Sequence, residues 1–84
     1  MELQHHPLIH ELPEYAELIH RLKLEDPEFH DLLEHYHDID KEIYRIEQEI
    51  EPTSDQYLEI LKKKRIFLKD KLYQMLREAD DQRT

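Results

Sequence analysis

The sequence predicts an all-α protein: an antiparallel hairpin of two long helices preceded by a short N-terminal helix, with dimerisation completing a helical bundle. Three observations predict it. Apolar residues recur with a heptad period over residues 29–50, which makes a helical seam and cannot make a strand. Helix starts and stops are written at Asp26-Pro27 and Pro52-Thr53-Ser54. Gly, Asn, Val and Cys are all absent, which removes the usual hairpin turns, one of the commonest strand formers, disulfides and thiolate chemistry.

Residues 1–12 read as a mobile arm, followed by a short helix over 13–25 that begins at Pro13. Its Tyr15, Ile19 and Leu22, with Leu8 and Leu12 upstream, recur three to four residues apart and form one apolar stripe. The middle helix is expected over 27–51. Asp26 caps it, Pro27 occupies the first turn where no N–H is needed, and Glu28 meets the positive dipole end. Phe29, Tyr36, Ile43 and Ile50 form one row of its seam and Leu32, Ile39 and Ile46 the other, with only Leu33 and Tyr44 off the stripe. A tight turn at 52–54 follows, with Thr53 and Gln56 matching a capping box and Ser54 an alternative cap. The final helix runs over 55–79, with Leu58, Leu61, Leu68, Leu72, Met75 and Ala79 in its seam and Arg65 lying along it, head towards water. Residues 80–84 are expected to fray. A short turn makes the long helices antiparallel, residue i facing about residue 106 − i by the turn-set register. The whole is one domain.

The 84 residues carry a net charge of −9, distributed unevenly. Residues 28–51 hold nine acids against two bases, whereas 52–84 hold eight bases against six acids. That balance disfavours nucleic acid and anionic membrane surfaces as partners. No stretch approaches the length of a membrane span and residues 1–12 lack the pattern of a signal peptide, so the expected location is the cytoplasm. The run Lys62-Lys63-Lys64-Arg65, with Lys69 and Lys71, points all round its helix and is read as salt-bridged or solvated surface opposite residues 35–44.

Chemistry-bearing constellations are weak. His30, Glu34 and His37 share a helix face at i, i+4 and i+7, a spacing that suits zinc, but they point away from the seam and lack an evident fourth ligand. His5, His6 and His10 make a loose chelating arm. No cofactor is expected, and a thin helical assembly offers no protected pocket for catalysis. The wide apolar arc of the final helix is more informative. Ile60 and Phe67 flank its seam on one side and Ile66 and Tyr73 on the other. The expected interface therefore comprises Ile60, Ile66, Phe67, Tyr73, Tyr15, Ile19 and Leu22, contacted by the first helix, a second copy or a different protein.

His5-His6-Pro7-Leu8, Leu12-Pro13-Glu14-Tyr15, Ile19-His20-Arg21-Leu22-Lys23, Asp26-Pro27-Glu28-Phe29, the stretch Tyr36 to Ile43, and Leu61 to Arg65 followed by Leu68-Lys69-Asp70 occur in that order. Together, over about residues 5–77, they resemble the YdcH-like family of small bacterial proteins. The resemblance implies a cytosolic helical hairpin and carries over no catalytic or ligand residue. The functional expectation is a non-catalytic, self-associating interaction or adaptor module, a homodimer that meets a further protein partner. The alternative is a metal- or pH-responsive module built on the histidines.

Overall fold

The computed structural model describes residues 8–48 and 54–82. They form α1 (Leu8–Glu11), a 3₁₀ turn (Pro13–Tyr15), α2 (Ala16–Glu25), α3 (Pro27–Glu47) and α4 (Asp55–Asp81), with no strand among the described residues. The seam residue Ile50, the end of the expected middle helix and most of the 52–54 turn lie outside the described residues.

Each boundary has a local cause. Asp26 adopts an extended backbone, and its Oδ1 accepts hydrogen bonds from the Glu28 and Phe29 N–H groups at 3.0 and 3.2 Å. Two of the orphan amides of α3 are thereby satisfied, and Pro27 supplies the fixed φ of a first helical residue. Asp26→Ala should therefore cost about 1 kcal/mol in a urea melt, the usual loss for an N-cap; an unchanged melt would show that the cap contributes nothing. At α4, Ser54 is the cap: its hydroxyl oxygen accepts from the Tyr57 N–H at 3.1 Å. The helix continues through Asp81, beyond residue 79 where the periodicity ends.

α3 and α4 run antiparallel. Asp40 meets Arg65 and Glu47 meets Lys62, so residue numbers rise on one helix as they fall on the other. The N-terminal helix lies over this hairpin in the same chain. Its Leu18 and Ile19 are buried, and Tyr15 and Leu22 pack half-buried against the core. Packing also reaches into the segment expected to be a mobile arm. Leu8, placed by the sequence reading in a mobile arm, is fully buried, and residues 8–11 make a helical turn.

This third helix rotates the seam of α3. A hairpin alone needs the rows Phe29-Tyr36-Ile43 and Leu32-Ile39-Ile46. The structure buries Phe29, Leu33, Tyr36, Asp40 and Ile43, with Ile39 beside them, while Leu32 and Ile46 are only half-buried. Leu33 is therefore core, not an off-stripe residue, because a helix with two neighbours buries a wider arc than one with a single neighbour. The same reasoning accounts for Leu76 of α4, fully buried and absent from the seam read off the sequence. It follows Leu72 by one turn, on the edge that also carries Leu58 and Arg65.

Candidate functional site

The rotated seam brings a carboxylate into the core. Asp40 is 3 % exposed, and its Oδ1 accepts from Arg65 Nη1 at 2.8 Å. Arg65 thus does more than lie along the seam: its head crosses the hairpin to a buried anion. A charge buried in a low-dielectric interior requires such a partner. Among the described residues, no buried side-chain nitrogen or oxygen lacks a hydrogen-bond partner. Next to this pair, burial pushes the Tyr36 phenol up to about 12, with Asp40 and Glu11 adding to the rise and Arg65 opposing it. Tyr36 is a packed, protonated core residue.

The candidate ligands His30, Glu34 and His37 do not come together. Among the described residues, no three His, Asp or Glu side chains are placed to hold one metal ion. Glu34 faces solvent, and His30 is half-buried. His37 has a structural task instead: its Nε2 accepts from the Leu8 N–H at 3.4 Å, and its ring lies 5.5 Å from that of Tyr36. It thereby helps dock α1 onto α3. His5 and His6 of the proposed chelating arm lie outside the described residues.

Burial lowers the His37 pKa below 6.5, with Lys23 and Lys41 acting in the same direction and Asp40 and Glu34 opposing. The sign of the pH effect follows. Just below pH 6.5 the unfolded chain takes up a proton at this site that the folded chain refuses, so stability falls with falling pH until the folded site also titrates. A protonated imidazole also loses its acceptor nitrogen. His37→Gln keeps an acceptor and removes the titration. Its melting temperature should fall less than that of the wild type between about pH 7.5 and about pH 5.5. Equal slopes for the two proteins would mean that His37 does not carry the response.

The charged residues of α4 divide into two sets. Lys62 pairs with Glu47 at 3.2 Å, Arg65 with Asp40, and Lys69 with Glu11 of α1 at 3.3 Å. All three lie on the side turned towards α3 and the N-terminal helix. Among the described residues, Lys63 and Lys64 make no ion pair, and Lys71 sits over the Phe67 ring at 5.7 Å. The basic run therefore does leave a one-sided residue of cations, once the structure shows which members are neutralised inside the chain.

The apolar flanks of α4 stay outside. Ile60 is 51 % exposed, Phe67 and Ile66 60 %, and Tyr73 38 %. At ~100° per residue, Ile60 and Phe67 form one strip and Ile66 and Tyr73 another, roughly 120° apart and on opposite flanks of the buried seam. Tyr15 touches the second strip edge-on, with ring centroids of Tyr15 and Tyr73 5.9 Å apart. Of the seven interface residues expected from sequence, Ile19 is thus taken up inside the chain and Tyr15 and Leu22 largely so. The four on α4 remain available. Exposed Ile9 and Leu24, which the sequence reading did not single out, border an open groove with Ala16, Leu18, His20 and Arg21 on the outer side of α2. No described helix is long and apolar enough to cross a membrane.

No match was found among curated proteins or solved structures. The family model described as a protein of unknown function, DUF465, matches residues 29–76, the whole of the α3–α4 hairpin apart from its outer ends. The chain belongs to the DUF465 family.

Proposed function

We propose that this DUF465 protein, akin to the YdcH-like proteins it resembles, is a non-catalytic helical interaction module of the bacterial cytoplasm that self-associates. The observation that carries this reading is the exposed apolar side of α4. Ile66 and Tyr73 stay open to solvent although the chain has already closed its core with its own N-terminal helix. Apolar strips that the fold does not need are typical of contact surfaces. The surroundings of this strip suit a second copy. Glu59 and Asp70 border it together with Arg77, so both signs are present. Antiparallel copies can set Arg77 of one against the partner's Glu59, as a two-fold contact requires.

Light scattering on the full chain at micromolar concentration tests the reading. A dimer mass is expected for the wild type, reduced to the 10.5 kDa of one chain by Ile66→Ser with helical content retained. A wild type that already runs as a single 10.5 kDa chain would overturn it. A second reading, response to mild acid, is favoured by one contact, the His37 ring against the Leu8 N–H, and the His37→Gln comparison tests it.

A further inference from the structure

The two apolar strips of α4 differ in charge. Ile60 and Phe67 stand two turns apart, roughly 10 Å along the helix at ~1.5 Å per residue. Lys63, Lys64 and Lys71 surround them within an arc of roughly 100°. All five side chains are exposed. Asp70 borders the arc on the side of the other strip. At its C-terminal end, Glu28 and Glu78 line a shallow cleft with Leu32, Met75 and Lys71. Between these limits the face is apolar and basic on a chain whose net charge is −9.

A second copy fits this strip poorly, because three lysines would face three lysines, and like charges across a contact cost several kcal/mol. The acidic outer side of α3, with Asp31, Glu34 and Asp38, matches the charge but carries no large exposed apolar residue among those described. Nucleic acid and anionic lipid match the lysines, but these extended polyanions would also meet the acidic sides of the chain beyond the strip, whereas a single helix meets the strip alone. An acidic helix with apolar residues at heptad spacing satisfies both requirements. Its apolar row covers Ile60 and Phe67, and its flanking carboxylates reach the ammonium groups of Lys63, Lys64 and Lys71.

We infer that the Ile60–Phe67 strip of α4 is a docking face for an acidic amphipathic helix of a different protein, separate from the Ile66–Tyr73 strip used for self-association. The inference rests on reading the outer side of α4 as a contact surface. It adds the class of partner, and gives the cations left over from intrachain pairing a role: the long lysine stems extend the apolar surface while their heads select carboxylates.

The test uses the full chain and three probes: an acidic three-heptad peptide with leucine in its seam and glutamate on its flanks, its lysine-for-glutamate counterpart, and phosphatidylglycerol vesicles. Calorimetry should show saturable binding of the acidic peptide only, weakening with salt. The Lys63→Glu/Lys64→Glu variant and the Phe67→Ser variant should each bind at least about tenfold more weakly, with helical content and self-association mass unchanged. Ile66→Ser should bind the peptide as the wild type does. Equal binding of the acidic and basic peptides, undiminished binding by the lysine variant, or binding of vesicles in place of the peptide would overturn the inference. Failure of the self-association reading looks different: a single-chain mass for the wild type, with selective peptide binding retained.

Discussion

Ile43→Ala is expected to lower the unfolding free energy by about 2–5 kcal/mol, the range for large-to-alanine changes in a packed core. Ile43 is fully buried in the stripe that faces α4, one turn from the end of α3 where the chain leads towards α4. Alanine there removes three heavy atoms and leaves a void that stiff neighbouring helices fill only in part. Stability of a small domain is of order 5–15 kcal/mol, so this single change removes a large share of it. Urea denaturation followed by circular dichroism gives the loss directly. An unaltered midpoint would show that Ile43 lies outside the core, and with it the whole row that Phe29, Tyr36 and Ile43 form.

Arg65→Met should be nearly as damaging although Arg65 is partly exposed. The substitution keeps the apolar stem and removes the guanidinium 2.8 Å from a buried carboxylate. Breaking a fully buried pair costs about 3–5 kcal/mol; because the Arg65 head reaches water, about 2–3 kcal/mol is expected here. Lys62→Met provides the scale. Lys62 and Glu47 are both more than a third exposed, so their pair contributes about 0–1 kcal/mol. Replacing both members of the core pair, Asp40→Leu with Arg65→Met, should recover most of the loss, since an apolar pair of similar volume needs no compensating charge. Equal costs for Arg65→Met and Lys62→Met would place Asp40 in solvent.

Much of this was legible from the residues. Asp26-Pro27 and Ser54 announce helix starts with local chemistry that needs no tertiary context, and both act as caps in the structure. The period of Phe29, Tyr36 and Ile43 fixes which side of α3 turns inward. The exposed strips of α4 were legible too, because a seam facing one helix cannot also cover Ile60, Phe67, Ile66 and Tyr73. What the pattern hides is the consequence of a third neighbour. Leu33 and Leu76 enter the core only when a helix lies across the hairpin, and hydropathy along one helix contains no record of that crossing. Asp40 is the sharpest case. A charged residue reads as surface, and the only hint of its burial is Arg65 in the opposite seam, one residue from the turn-set register. His37 resembled a ligand because its spacing to His30 and Glu34 suits a metal. Its actual partner, the Leu8 N–H, is 29 residues away in sequence, beyond any local spacing rule.

The N-terminal helix closes the core of its own chain, which leaves the outer side of α4 exposed. Isotope-filtered NOE spectra of a mixed sample, labelled and unlabelled chains at equal amounts, address it most directly. Tyr15 and Tyr73 lie ring to ring at 5.9 Å and give a clear signal. Their cross-peaks should arise only within a chain, while those between chains should come from Ile66 and its neighbours. Tyr15–Tyr73 cross-peaks that appear between labelled and unlabelled chains would contradict it, because the helix closing each core would then belong to another molecule.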